Sequence, residues 1–208
     1  MNKIINIILK IILRILFCII ILSILLYVCL WIYVINFTPK EYKNHYDNKI
    51  IIDLDEGQYE IIWFTLTRNN RYKVKWKPFI FDIFIEYYFR EDHKNVGYLA
   101  ANSMLFELNA NNIPSMQWHI LNYSFTRYVE FDKNWKKCLS IIITNGYYGN
   151  GVYGIINASE YYYNKKINDV TEKELISLIL LNLGSNRFEI GSIISEETIN
   201  EIYNLFRK

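Results

Sequence analysis

Residues 146–166 read GYYGNGVYGIINASEYYYNKK, and this stretch decides the fold. It holds four of the chain's eight glycines within nine positions: Gly146, Gly149, Gly151 and Gly154. Glycine at this density is typical of tight turns or of close backbone approach. Three consecutive tyrosines then end at Asn164, a residue type that can stop a helix in the left-handed conformation. On the residues alone, the stretch predicts a glycine loop that leads into a helix rich in buried tyrosine.

The order of residues in and after this loop follows a known pattern. YYGNGVYGI is followed by an Ala-Ser pair, then by YYNK and by VTEKELISL. This order resembles the C-terminal part of the peptidoglycan glycosyltransferase domain (glycosyltransferase family 51), found in monofunctional transglycosylases and class A penicillin-binding proteins. The family pattern is roughly YFGxGxYGIExAAxxYFGK and then LTxxExAxL. The positions in step without a gap are Tyr148, Gly149, Gly151, Tyr153, Gly154, Ile155, Ala158, Tyr162, Tyr163, Lys165, Thr171, Glu174 and Leu178.

The resemblance implies an all-α, lysozyme-like lobe that joins a lipid-linked disaccharide to a growing glycan strand. In that family a glutamate is the general base, and basic residues, sometimes with a divalent cation, offset the charge of the leaving diphosphate-lipid. Counting back from Gly149 without a gap places Glu130 on the later family glutamate. Glu130 is therefore the predicted catalytic residue. On the residues alone, the alternative is an exposed glutamate at a helix end.

The resemblance also suggests three substrate-binding residues and a structural loop. Asn102 stands, as a shortened amide, where the family motif GGSTITQQ has a glutamine. We expect Arg127 or Lys133 to face Glu130, because a nearby cation would hold that carboxylate ionised. The loop glycines Gly149, Gly151 and Gly154 are expected to be structural.

The first catalytic carboxylate of the family is missing from its expected place. The motif EDxxF would fall near Thr65 or Asn69, but the sequence from Ile61 to Phe81 contains no Asp or Glu. An asparagine there could not accept the proton of the acceptor hydroxyl at neutral pH. Asp82 and Glu86 are nearby, but on the wrong side of the expected turn.

These observations predict a divergent, membrane-anchored relative with weak or no catalysis. The alternatives are an active monofunctional transglycosylase with an altered site, a non-enzymatic scaffold or binding protein, and an unrelated small membrane protein. The expected partners are the membrane and either a lipid-linked glycan or a cell-wall synthesis protein.

Composition limits the other classes of function. Hydrophobic residues make up 52% of the 208 residues and aromatic residues 17%, which is too apolar for a disordered chain. A net charge of +2 does not favour a nucleic-acid partner. The three cysteines and three histidines are scattered, so the sequence predicts no disulfide framework and no metal cluster.

The N-terminal segment predicts a membrane anchor. Ile15 to Phe37 carries no charge and would form a helix of about 34 Å, enough to cross a bilayer. Lys3, Lys10 and Arg14 precede it, which predicts a cytoplasmic N-terminus and a body outside the cytoplasmic membrane, in the periplasm or at the cell surface. A cleaved signal peptide is the alternative. The length of the apolar run and the lack of a small-x-small site after it favour an uncleaved anchor.

The expected organisation is an anchor at 1–37, a juxtamembrane linker at 38–59 and a helical domain at 60–208. Residues 49–54 could pair as a short strand, and 60–67 could be helix or strand because the run shows no clear period.

Further along the chain, Asn69 to Lys77 is basic, and Phe79 to Arg90 is predicted to be helical. Pro114 suits the first turn of a helix, and Asp132 could cap the helix after it. Thr171 and Glu174 have the spacing of a capping box.

Overall fold

The computed structural model describes residues 2–68, 96–108, 113–184 and 196–208. The predictions for 69–77 and 79–90 lie outside these residues. The described residues form nine α-helices, one short 3-10 helix at Ile167–Asp169, and no named strand. The helices are α1 (Asn2–Phe37), α2 (Lys40–Asp47), α3 (Glu56–Thr67), α4 (Val96–Glu107), α5 (Ser115–Asp132), α6 (Trp135–Asn145), α7 (Ile155–Tyr163), α8 (Glu172–Gly184) and α9 (Glu196–Phe206). The predicted all-α class is confirmed.

Helix α1 contains one segment that is long and apolar enough to cross a membrane, Lys10–Cys29. Its 20 residues have a mean hydropathy of 3.0, and none of the segment is buried inside the protein. The hydroxyl of its serine is satisfied within the helix, because Ser23 Oγ donates to the carbonyl of Ile19 at 2.8 Å. Such a helix fits a single-pass membrane anchor.

The end of α1 is joined firmly to the body. Helix α1 packs against α5, and Phe37 packs against the hydrophobic core. The next residue, Thr38, is buried and shares a 2.5 Å hydrogen bond with the buried hydroxyl of Ser124 on α5. The anchor therefore runs into the body through packed side chains.

Within residues 38–59, the predicted linker, helix α2 packs against α5. Helix α2 buries Tyr46 completely, and the Tyr46 hydroxyl donates to Asp132 at 2.9 Å. In the opposite direction, Tyr128 of α5 donates to both carboxylate oxygens of Asp47, at 2.8 and 3.0 Å. Residues 49–54 form no strand, and the amide of Ile52 donates to Ser140 on α6 instead.

Helix α3 resolves the ambiguity at 60–67. Asp55 and Gln58 form a capping box at its start, with the Gln58 amide 2.7 Å from Asp55 Oδ1. Six consecutive residues, 61–66, are buried because α3 packs against α8 and other helices. A helix buried on every side has no polar stripe, and its sequence therefore shows no helical period.

The glycine loop is a tight turn between α6 and α7. A single bridge pairs Tyr147 with Tyr153, and the Gly154 amide donates to Gly146 at 2.9 Å. Positive φ angles occur at three loop glycines: Gly149 (86°), Gly151 (78°) and Gly154 (81°). Helix α7 then ends at Asn164, whose φ of 51° and ψ of 40° confirm the predicted left-handed stop.

The segment after α7 is fixed by a capping box. Thr171 and Glu174 exchange hydrogen bonds as predicted, at 2.7 and 3.3 Å. Lys165 also donates to both oxygens of Glu174, at 2.8 and 2.9 Å. Burial alone would raise the pKa of Glu174, but these hydrogen bonds outweigh it and hold the pKa below its ordinary value.

Candidate functional site

Glu130 lies in the last turn of α5, at the edge of the face that packs into the core. Leu121, Phe125 and Val129 recur every four residues on that face and are buried. Glu130 follows directly and is only 8% exposed. The alternative of an exposed glutamate at a helix end is therefore wrong.

Glu130 forms a buried ion pair on its own helix. Arg127 Nη1 donates to Glu130 Oε2 at 2.8 Å, and the two side chains are 7% and 6% exposed. The hydroxyl of Tyr123 accepts from Arg127 Nε at 3.1 Å and from Nη2 at 2.5 Å. Spacings of three and four residues bring such side chains together on one helix face. The predicted neighbour Arg127 thus holds one carboxylate oxygen of Glu130.

A small recess opens beside this pair. Its enclosed volume is only about 10 Å³, and the space reaches about 250 Å³ when the open solvent at its mouth is included. The lining combines apolar, aromatic and polar residues: Trp63, Val96, Gly97, Val129, Glu130, Lys133, Asn134, Trp135 and Cys138. The rings of Trp63 and Trp135 meet edge to face, with centroids 6.0 Å apart. This edge-to-face contact is favourable and fixes one wall.

The turn between α5 and α6 brings a cation to the recess. Lys133 has a left-handed φ of 53° and donates its backbone amide to the carbonyl of Glu130 at 3.2 Å. Asn134 caps α6 by accepting from the Lys137 amide at 3.1 Å. The predicted cap Asp132 is instead the last residue of α5 and binds Tyr46. Lys133 is exposed and lines the recess, where an anionic group could reach it.

The structure does not bring Asn102 to this recess. Asn102 is half-buried on α4, five residues after Gly97, which does line it. Five residues correspond to about 140° around a helix, so the two positions lie on different sides of α4.

Cys138 and the two tryptophans are lining residues that no sequence motif indicated. Cys138 is 5% exposed. Burial raises the pKa of its thiol to about 12, so the thiol stays neutral and is a poor nucleophile. Trp63 lies in the run whose secondary structure was ambiguous, and Trp135 stands where the resembled family has lysine.

The described residues of the recess do not form a site for a divalent cation. Among the described residues, Glu130 is the one carboxylate that lines the recess, and a guanidinium lies 2.8 Å from it. Over the described ranges, no group of three or more His, Cys, Asp or Glu side chains is placed to hold a metal. Whether the cation that the resemblance allowed binds this protein therefore stays a prediction, since the described residues supply no donor set for it.

Comparison with known families identifies part of the chain. Residues 114–202, less than half of the chain, match the family model described as Transglycosylase. This segment is a transglycosylase domain. The resemblance drawn from the glycine loop is thereby confirmed, and the domain indicates a cell-wall glycosyltransferase family. No curated protein and no solved structure matches the chain.

The transglycosylase domain supplies most of the recess but not all of it. The match begins at Pro114, just before α5, and ends at Ile202 in α9. It includes Glu130, the turn at 133–134 and the glycine loop. The remaining wall comes from α3 and from the start of α4, outside the matched segment.

Proposed function

We propose that this protein is a membrane-anchored transglycosylase-domain protein that holds a lipid-linked glycan for cell-wall assembly and catalyses its polymerisation weakly or not at all. The proposed bounds are an anchor at 1–37, a juxtamembrane segment at 38–59 and the functional body at 60–208. The observation that carries the proposal is the buried ion pair between Arg127 and Glu130.

A general base must reach the proton that it removes and must be free to accept it. Glu130 is buried, and a guanidinium holds one of its oxygens. Protonation of Glu130 would remove the negative charge that faces the buried guanidinium of Arg127, which is unfavourable. This arrangement supports a role for Glu130 in fixing the end of α5 and the recess wall.

The position of the missing first carboxylate also argues against catalysis. Thr65 is one of its two expected places, and it is 2% exposed within α3. The neighbouring residues 61–66 are buried and uncharged, which leaves no acid or base on that stretch of helix. The other expected place, Asn69, lies outside the described residues.

The recess nevertheless has features that suit a lipid-linked glycan. Lys133 offers a positive charge for a diphosphate, and the two tryptophans provide apolar surface. The proposed substrate-binding residues are therefore Lys133 and, through its hold on Glu130, Arg127. We retain Asn102 only as a candidate for contacts outside the recess.

The full-length protein in detergent is expected to make no glycan polymer from a lipid-linked disaccharide, because the one carboxylate among the described residues of the recess, Glu130, is held in an ion pair. Glu130→Gln should leave this result unchanged. The same samples should still retain the lipid-linked disaccharide, and Lys133→Ala should weaken that retention by roughly three- to tenfold, since one charge-assisted contact is lost. Gel analysis of labelled product and filter retention of labelled donor measure the two quantities.

A matched control for Lys133→Ala is Lys166→Ala, which removes an exposed lysine that does not line the recess. Polymer formed by the parent and abolished in Glu130→Gln would show a working catalytic site and overturn the proposal. If both lysine variants retain the donor as well as the parent does, the recess is not the binding site for the substrate.

We propose a single span with the N-terminus in the cytoplasm and the body outside. The basis is the uncharged run after Lys3, Lys10 and Arg14. A phosphatase reporter that is active only outside the cytoplasm should be active when it is fused after Lys208. A reporter that is active only in the cytoplasm should be inactive at the same position. Placing acidic residues at the three basic positions is the control and should reduce the external fraction. An inactive phosphatase reporter on the unmodified chain would contradict this topology. A mature N-terminus beyond Phe37 would contradict it as well.

A further inference from the structure

Helix α7 and the loop residue Tyr153 present exposed side chains that the recess and the core do not use. We define the tyrosine face as Tyr153, Ile156, Asn157 and Tyr161. Tyr153, Ile156 and Tyr161 are 61%, 46% and 60% exposed. Asn157 and Tyr161 are four residues apart on α7 and lie on one side of it, whereas Tyr153 precedes the N-cap Gly154 and contacts Asn157 through its carbonyl.

The rings of the tyrosine face are held by neighbours behind them. The Tyr161 ring meets the Tyr162 ring edge to face at 4.8 Å, and the Tyr162 hydroxyl donates to the carbonyl of Tyr148 at 2.7 Å. The Tyr153 ring lies 4.9 Å from the ring of Tyr147. Rings that are already supported lose less conformational freedom when a ligand stacks on them.

An amide on α7 links the helix to Tyr153. Asn157 Nδ2 donates to the carbonyl of Tyr153 at 2.8 Å, which fixes the orientation of the side chain. An amide oxygen has two acceptor sites, and Asn157 is exposed, so its oxygen can accept from a ligand hydroxyl. The face therefore alternates aromatic and hydrogen-bonding groups.

The area of the face is too small for a stable protein interface. Three large side chains at these exposures present roughly 350 Å², given about 150–250 Å² for a whole aromatic side chain. A stable protein partner needs about 800 Å² on each side. The face thus suits a ligand narrower than a folded protein.

The charge of the face selects the class of ligand. None of its four residues is a cation, which disfavours phosphate or an anionic headgroup. The nearest exposed charge on α7 is Glu160. A neutral ligand with flat apolar sides and many hydroxyl groups, a chain of sugar rings, matches both the rings and the amide.

We propose that the tyrosine face binds a glycan chain, with sugar rings stacked on Tyr153 and Tyr161 and a sugar hydroxyl bound by Asn157. The choice of a cell-wall glycan rests on the proposed function, but the binding requires neither polymerisation nor the recess. The face would then contact glycan away from the lipid-linked end.

Chitotetraose, a soluble oligosaccharide of N-acetylglucosamine, is the probe for this proposal. Titration of the full-length protein in detergent should show saturable binding by calorimetry. Tyr153→Ala and Tyr161→Ala should each weaken it by roughly tenfold, because truncation of a central contact residue typically costs more than 1 kcal/mol. The matched control is Phe106→Ala on α4, which removes an aromatic side chain 55% exposed and should leave binding unchanged.

Circular dichroism of each variant checks that the helices remain folded. Absence of binding by the parent, or equal binding by the parent and both tyrosine variants, would overturn the glycan face. Retention of the lipid-linked disaccharide, measured on the same samples, reports on the recess separately. If the parent retains the lipid-linked disaccharide but does not bind chitotetraose, only the proposal for the tyrosine face is refuted. If the parent does not retain the lipid-linked disaccharide, the proposed function is refuted.

Discussion

Replacing Arg127 with methionine is expected to destabilise the body by about 3–5 kcal/mol, because it removes the guanidinium that pairs with the buried carboxylate of Glu130. Both side chains are less than one-tenth exposed, so water cannot take the place of the guanidinium. The variant also removes the two hydrogen bonds that Arg127 donates to Tyr123. Urea unfolding in detergent, followed by circular dichroism, measures the change in the free energy of unfolding.

The double variant Arg127→Met/Glu130→Leu separates charge from packing. Replacing both members of a buried pair by apolar residues is often nearly neutral, so the double variant should recover most of the lost stability. Lys133→Met is the matched control, since Lys133 is exposed and its loss should cost less than about 1 kcal/mol. An equal loss in the single and double variants would show that Arg127 stabilises the body by packing of its stem, and the buried-pair argument would fail.

Gly154→Val is expected to destabilise the body by about 2–4 kcal/mol, from backbone strain together with overpacking. Gly154 has a φ of 81°, and an added Cβ would lie 3.0 Å from the carbonyl oxygen of Thr144. Because that oxygen belongs to the backbone, rotation of a side chain cannot relieve the contact. For a protein of this size, the loss corresponds to a melting temperature lower by roughly 4–16 °C.

Gly151→Val provides the control within the same loop. Gly151 also has a positive φ of 78°, but an added Cβ would meet no atom within 4 Å. Its substitution should therefore cost the backbone strain alone, about 1–3 kcal/mol. Equal losses at both positions would show that close packing at Thr144 contributes nothing. Two variants that melt like the parent would contradict the structural role of the loop.

Local signals in the sequence predicted the ends of the helices well. Asn164 and the pair Thr171 and Glu174 act through contacts within a few residues, so their geometry follows from spacing alone. The segment 38–59 shows the limit of such signals. Its helix of eight residues is too short to display a period, and the burial of Tyr46 depends on Asp132, which is remote in sequence.

Helical spacing within α5 predicted one part of the candidate site. Arg127 precedes Glu130 by three residues, so the pair follows from helical spacing. The depth at which the pair is buried depends on helices packed around the end of α5, which spacing does not reveal. Asn102 was predicted by counting along a motif. It lies on a different side of α4 from Gly97, which lines the recess.

The hydrogen bond between Thr38 and Ser124 has a practical consequence for anyone who wishes to release the body from the bilayer. Cutting the chain at the end of the apolar run would remove Phe37 and turn Thr38 into a frayed terminus. The Ser124 hydroxyl, now fully buried, would lose its partner, and the side of α5 that α1 covers would be exposed to water. A soluble version should therefore keep the last turns of α1 and replace their outward-facing apolar side chains with polar ones.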